Sequence, residues 1–265
     1  MRCVIAVGYI NKEGINGGQL VCAAFMHPGK AKFNVSDIKI VGYEESFAED
    51  DFNCTFNILD NGGRTIAGKD IQFSYSDPWD WDAYEFMGGK WYNYGNEITP
   101  GGDNDFELEN GQAVWLQLPA GSAGSVLFGT AGEVIQAEVP FPLINGGNGI
   151  GNPMAVGVWV SDLILSGYED VFAEDDFNCT FNILDNGGRT LAGKNIQFSY
   201  SDSWDWDAYG FLGGKWYNYG SDITPHAEND YQLQPGEGIW LQAPAGSAGN
   251  VVLTFPQVVG EQAVK

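Results

Sequence analysis

The chain has 265 residues and a formal net charge of −23, because 35 acidic residues face only 12 lysine and arginine residues. Nucleic-acid phosphates and anionic lipid headgroups repel a surface of this charge, so nucleic acid and anionic membranes are excluded as partners. Hydrophobic residues make up 44% of the sequence, which excludes a disordered chain. With 37 glycines, 14% aromatic residues and little helical periodicity, the composition predicts an all-β protein with many tight turns.

The first ten residues predict a β-strand and not a signal peptide, because the apolar run leads into a turn without a small-residue cleavage site. A turn at residues 11–18 and a second apolar run at 20–26 follow. No segment approaches the roughly 20 apolar residues that a membrane-spanning helix requires. Membrane insertion is therefore not expected.

The next part of the chain predicts strands at residues 53–59 and 65–75, with Asn61 and Gly62 supplying the positive φ angles of a type I′ turn between them. Residues 81–95 predict a second hairpin with its tip at 87–90 and aromatic residues on both arms. Strands at 113–118 and 125–130 follow. Residues 43–51, YEESFAEDD, predict a short helix or an acidic loop.

The sequence of residues 35–126 recurs without gaps at 160–251, and 67 of the 92 paired positions are identical. The repeated block that includes the hairpins runs from Phe47 to Tyr94 and again from Phe172 to Tyr219. We predict two tandem homologous units of β-sandwich or barrel-like form, residues 1–130 and 131–265. The junction near Thr130 continues as strand-like sequence without a flexible linker, so the units are expected to pack closely.

Four cysteines are too few to indicate a disulfide scaffold, and the absence of a C-x-x-C pair argues against a zinc site. Cys54 and Cys179 occupy equivalent positions in the repeat, whereas Cys3 and Cys22 have no counterparts. Buried free thiols are expected. A Cys3–Cys22 bridge and bonds between chains are the alternatives.

A cluster of aromatic and acidic residues in each unit is the candidate contact surface. In an extended segment Trp79 and Trp81 share one face, and Asp80 and Asp82 lie on the other. Exposed rings suit a sugar, because the ring stacks on its C–H face while a nearby carboxylate accepts hydroxyl hydrogen bonds. The alternatives are aromatic core packing and anchors of a protein–protein interface. The candidate residues are Trp79, Trp81, Tyr84, Trp91, Tyr92, Tyr94, Trp204, Trp206, Tyr209, Trp216, Tyr217 and Tyr219.

An acidic loop in each unit is a candidate Ca²⁺ site, with Asp50 and Asp51 in the first unit and Asp175 and Asp176 in the second. The spacing is not that of an EF-hand. A solvated acidic face, or acids at a helix start, is the alternative. Ca²⁺ is the one cofactor that the sequence suggests.

The sequence lacks catalytic motifs. His27 and His226 are the only histidines and do not correspond in the repeat, and neither G-x-S-x-G nor a phosphate-binding loop occurs. Carboxylate pairs carry no information in a chain with 35 acids. No enzymatic activity is expected.

Two motifs carry a resemblance to a protein group. The segment VGYIN lies at residues 7–11, and L-Q-P-G-E-G-I-W-L at 233–241 precedes a closing strand at 251–255. In the first unit the closing motif is altered to LENGQAVWL. The pattern resembles a group of exported all-β repeat proteins of Verrucomicrobia and related bacteria. The resemblance implies an extracellular or cell-surface location and brings no catalytic residues with it.

Two functions follow as hypotheses. The first is a secreted structural or surface protein that self-assembles into filaments or layers, because similar faces presented twice allow contacts between copies to propagate. The second is a bivalent carbohydrate-binding protein, in which two equivalent sites raise avidity for a polysaccharide.

Overall fold

The fold is that of a computed structural model, which describes residues 7–14, 16–22, 32–48, 53–57, 71–75, 89–109, 111–173, 176–182, 195–200 and 214–257. Strands form nearly all of the regular structure, and the prediction of an all-β protein is confirmed. No helix within these ranges is long and apolar enough to cross a membrane.

The described residues of the first half form a series of short strands. They are β1 (Val7–Glu13), β2 (Gly17–Cys22), β3 (Lys32–Asn34), β4 (Lys39–Val41), β5 (Asn53–Asn57), β6 (Ile71–Ser74), β7 (Lys90–Asn93), β8 (Asn96–Glu97), β9 (Glu107–Glu109), β10 (Ala113–Leu118) and β11 (Leu127–Glu133). A 3-10 helix, Val35–Asp37, precedes β4, and the single α-helix of the described chain, α1 (Tyr43–Ser46), follows it.

The second half repeats this order. Its strands are β12 (Val139–Pro142), β13 (Gly146–Gly151), β14 (Val158–Trp159), β15 (Ile164–Ser166), β16 (Asn178–Asn182), β17 (Ile196–Ser199), β18 (Lys215–Asn218), β19 (Ser221–Asp222), β20 (Gln232–Leu233), β21 (Gly238–Ala243) and β22 (Val252–Phe255). A second 3-10 helix, Val160–Asp162, lies between β14 and β15.

Each half pairs its strands in the same three antiparallel sheets. In the first half the orders are β2-β10-β5-β6-β7-β8, β1-β11-β4 and β3-β9. In the second they are β13-β21-β16-β17-β18-β19, β12-β22-β15 and β14-β20. The buried side chains of the six-stranded and three-stranded sheets join one hydrophobic cluster in each half. This shared core is the arrangement of two sheets packed face to face.

The pairing of strand β7 differs from the predicted pairing. We predicted that 81–86 would pair with 90–95 around a tip at 87–90. Instead β7 is bonded on both edges, to β6 over its whole length and to β8 through Tyr92 and Asn93. Because both edges are occupied, the hairpin that contains β7 closes at residues 94–95. Residues 76–88 lie outside the described part of the chain.

The two halves meet through backbone groups near β10 and β13. The N–H of Gly151 donates to the carbonyl of Gly111 at 2.8 Å, and Gln112 forms an isolated antiparallel bridge with Ile150. Strand β11 continues to Glu133, where it pairs with Val7. The sheet of the first half thus extends three residues beyond the predicted boundary at Thr130.

The predicted helix at 43–51 corresponds to the single turn α1, and residues 49–52 lie outside the described ranges. Its first residue fixes the helix to β7, because the Tyr43 hydroxyl accepts a hydrogen bond from the N–H of Gly89 at 2.9 Å. Tyr168 repeats this bond to Gly214 at 3.2 Å. Burial raises the pKa of Tyr43 and raises that of Tyr168 to about 12, so both phenols stay neutral at physiological pH.

Cys54 and Cys179 are buried free thiols, as predicted. The side chains of Cys3 and Cys22 lie outside the described residues, so their pairing stays a prediction. Burial raises the pKa of both described thiols, that of Cys179 from an ordinary 9.0 to about 12. Each thiol contacts the hydrophobic core of its half, where a thiolate has no solvation.

Alkaline pH is therefore expected to destabilise the fold. The unfolded thiols ionise near their ordinary pKa, so the stabilisation from the neutral folded thiol is complete below about pH 9 and falls as the pH rises toward 12. Urea midpoints between pH 8 and 11 measure this, with Cys179→Ala as the matched variant. An alkaline loss in the variant that is as steep as in the native chain, or steeper, contradicts the prediction.

Candidate contact surface

The structure divides the predicted aromatic cluster into three groups. Trp91, Tyr92, Trp216 and Tyr217 are buried, with only 5–7% of their surface exposed, whereas Tyr94 and Tyr219 are 57% and 61% exposed. The remaining candidates, Trp79, Trp81, Tyr84, Trp204, Trp206 and Tyr209, lie outside the described residues.

The two tryptophans among these buried residues belong to the core and cannot present a ring face to a ligand. Trp91 packs edge-on against Phe73 at 5.2 Å between ring centroids, and its indole N–H donates to the Ile38 carbonyl at 3.1 Å. Trp216 makes the same contacts with Phe198 and Leu163. The prediction of a ligand contact is wrong for these residues, because their rings are buried against the core of their own half. Tyr92 and Tyr217 are likewise too buried to offer a ring face.

Tyr94 and Tyr219 each occupy the first position of a two-residue hairpin turn. Tyr94 has φ +50° and Gly95 φ +73°, and Tyr219 and Gly220 have +52° and +73°. Two consecutive positive φ angles are those of a type I′ turn, in which asparagine or glycine is the usual first residue. A tyrosine in this conformation is strained and gains no burial in return. Strain kept at an exposed position points to a role outside the fold.

Each tip is braced by an asparagine from the loop that follows it. Asn104 donates to the Glu97 carbonyl at 2.7 Å and accepts from the N–H of Thr99 at 3.1 Å, and its own carbonyl accepts from the Asn93 side chain at 3.2 Å. Asn229 makes the same three bonds to Asp222, Thr224 and Asn218 at 2.8, 3.1 and 3.0 Å. The tyrosines are thus presented on a hydrogen-bonded support. We call residues 93–97 and 218–222 the tyrosine tips.

The surroundings of the tips are polar and acidic. The ammonium groups of Lys90 and Lys215 are paired with the carboxylates of Glu97 at 2.9 Å and Asp222 at 3.2 Å. Asp103 and Glu228 add negative charge on the bracing loops. A tip therefore offers one ring face beside amide, hydroxyl and carboxylate groups.

Where both members of a repeat pair are described, the other exposed apolar side chains are not repeated between the halves. Val41, Ile164 and Val171 are 43–49% exposed. Their counterparts at the 125-residue offset are polar or charged, namely Ser166, Lys39 and Ser46. Ile144 is also exposed, and its counterpart Ile15 lies outside the described part of the chain. Among described pairs, the tyrosine tips are the exposed apolar feature common to both halves.

Three of the four predicted Ca²⁺ ligands, Asp50, Asp51 and Asp175, lie outside the residues that the structure describes. The fourth, Asp176, is exposed. Among described side chains, no group of three or more acidic, histidine or cysteine residues is arranged to hold a metal ion. Ca²⁺ binding stays a prediction.

Sequence reasoning missed two acids that organise the loops. Asp105 accepts hydrogen bonds from the side chains of Asn34 and Ser36 and from the backbone N–H groups of Ser36 and Gly101, at 2.6–3.2 Å. Asp230, only 4% exposed, accepts from Ser161, His226 and Tyr231. The serine partners, Ser36 and Ser161, lie 69 residues from these aspartates in sequence, so spacing alone gives no signal.

Comparisons with known proteins provide no relative. No protein-family model, no curated protein and no solved structure matches the chain. The resemblance to exported bacterial repeat proteins thus stays a prediction.

Proposed function

We propose that the protein is a non-enzymatic, bivalent carbohydrate-binding protein of the cell surface or extracellular space, which holds a neutral polysaccharide through its two tyrosine tips. The observation that carries the proposal is the exposed, left-handed tyrosine at the same position of both halves. A tyrosine face with neighbouring amides and carboxylates offers stacking for a sugar ring and hydrogen bonds for its hydroxyls.

Charge decides the class of polysaccharide. The net charge is −23, and the lysine of the strand that leads into each tip is already paired with a carboxylate. Glycans with uronate or sulfate groups would meet repulsion at every site. Neutral chains avoid this repulsion, and two sites on one chain convert weak single contacts into avidity.

Calorimetry and affinity electrophoresis test the proposal. Short neutral oligosaccharides such as cello- and chito-oligomers are expected to titrate two equivalent sites per chain, and the matching polymer is expected to retard the protein strongly. Alginate serves as the anionic control and should cause no retardation. Absence of binding to every neutral glycan, or one site per chain, contradicts the proposal.

Self-assembly is the second candidate, supported by a different feature. The strands β4 and β15 pair on one side only among the described residues, and each exposes one aliphatic side chain, Val41 or Ile164. Open strand edges of this kind can add a strand from another copy. Negative-stain microscopy and sedimentation with and without Ca²⁺ test this, using Ile164→Lys, which introduces the residue of the first half. Monodisperse monomer in every condition contradicts self-assembly.

A further inference from the structure

The second half contains a surface cluster that the first half lacks. The Nε2 atom of His226 lies 2.9 Å and 3.1 Å from the two carboxylate oxygens of Asp162. The imidazole also stacks on the indole of Trp159, with 5.5 Å between ring centroids and 26° between planes. The equivalent positions of the first half hold Gly101, Asp37 and Asn34.

The backbone at this position favours glycine in both halves. Gly101 has φ +70° and His226 φ +59°, so the histidine adopts a left-handed conformation that its side chain disfavours. The equivalent aspartates, Asp37 and Asp162, also have different partners in the two halves. In the first half Asp37 accepts the Asn34 N–H at 3.1 Å and completes a capping box, whereas the Asp162 carboxylate faces His226. The strain at His226 is thus accompanied by two changes that suit a histidine: tryptophan replaces asparagine at residue 159, and the carboxylate of Asp162 faces the ring.

We propose that Trp159, Asp162 and His226 form a pH-sensitive latch that fastens the loop 223–230 to the 3-10 helix Val160–Asp162, in the second half only. The charged groups of the described elements around the ring are acidic. Asp162 faces the ring from the helix, Asp230 accepts the His226 backbone N–H at 3.0 Å, and Glu228 lies on the same loop. Strand β14, which contains Trp159, and its partner β20 contribute no charged residue.

The direction of the response follows from the partners. A histidine ring carries a positive charge once it is protonated in acid. The charged ring makes a charge-assisted hydrogen bond with the carboxylate and a cation–π contact with the indole. Acidification therefore tightens the latch, and rising pH loosens it. The pair is partly exposed, so salt weakens the effect.

The latch also acts on the second tyrosine tip. The loop that it fastens carries Asn229, which braces residues 218 and 222 through two hydrogen bonds. The second tip is held more firmly in acid than at neutral pH, while the first tip, with Gly101 at the equivalent position, does not respond.

Amide hydrogen exchange followed by NMR tests the latch with an internal control. The N–H groups of Ala227 and Asp230 bond to Thr224 and Ala227 within the loop, and those of Gly102 and Asp105 make the matching bonds in the first half. Protection factors of the second-half pair are expected to fall several-fold between about pH 5.5 and about pH 7.5, while those of the first-half pair stay constant.

Two variants complete the test. His226→Gly installs the first-half residue in a backbone that already suits it, and is expected to abolish the pH response while leaving the chain folded. Asp162→Asn keeps a hydrogen-bond acceptor without the charge, and is expected to reduce the response. An equal response in both halves, no response in the native second loop, or a response that persists in His226→Gly would overturn the proposal.

Discussion

Replacing both tip tyrosines with asparagine is expected to abolish polysaccharide binding and to leave the fold at least as stable as before. Asparagine suits the first position of a type I′ turn, whereas Tyr94 and Tyr219 are strained there and exposed. Relief of left-handed strain is expected to raise the free energy of unfolding by up to about 1 kcal/mol per tip. The ring face for the sugar disappears at the same time.

The single variants separate avidity from affinity. Tyr94→Asn or Tyr219→Asn alone leaves one site, so polymer binding is expected to fall by about 10²–10⁴-fold while binding of a short oligosaccharide to the remaining site is unchanged. Val171→Ser is the matched control, because it removes an exposed apolar side chain and installs the residue of the first half. Retained polymer binding by the double variant, or a marked loss of stability in it, contradicts the proposed role.

Gly167→Ala is expected to be among the most destabilising single-methyl changes. Gly167 has φ +83°, and a Cβ placed on it would lie 2.1 Å from the carbonyl oxygen of Asn250, a backbone atom that cannot rotate away. Left-handed strain of about 1–2 kcal/mol and overpacking of about 1–3 kcal/mol together give a loss of about 2–5 kcal/mol in unfolding free energy. Gly42, with φ +85° and the Ser125 carbonyl at 2.1 Å, is expected to behave alike.

Gly249→Ala separates the two contributions. Gly249 has φ +78°, but no atom lies within 4 Å of its Cβ position, so only the backbone strain of about 1–2 kcal/mol applies. Urea unfolding measures the free energy of unfolding of Gly167→Ala, Gly42→Ala and Gly249→Ala, provided that the dependence on urea concentration has the same slope in each. If Gly167→Ala and Gly249→Ala lose equal stability, close backbone approach is not what requires glycine at residue 167.

Local pattern was sufficient to predict the central strands. The predicted strand 113–118 is β10, Ala113–Leu118, where side chains that point alternately to the core and outward give the sequence its period of two. The fold class followed from such segments together with the glycine-rich turns between them.

Pattern could not decide the role of an aromatic residue. Trp91 reads equally well as a core residue or as a sugar platform, and its partners Phe73 and the Ile38 carbonyl are set by tertiary pairing. The turn at Tyr94 was read as part of a strand, because tyrosine is a poor residue for positive φ. The contact between His226 and Asp162 joins residues 64 positions apart, which spacing within a motif cannot indicate.

The short last strands of the six-stranded sheets have a consequence for behaviour at high concentration. Strands β8 and β19 span two residues each, and both carry a carboxylate, Glu97 or Asp222. A long, flat and apolar border would template the addition of further chains and lead toward amyloid, whereas a border of two residues that carries an ion pair offers little for a further strand to bond. Fibre growth is thus disfavoured at these two borders.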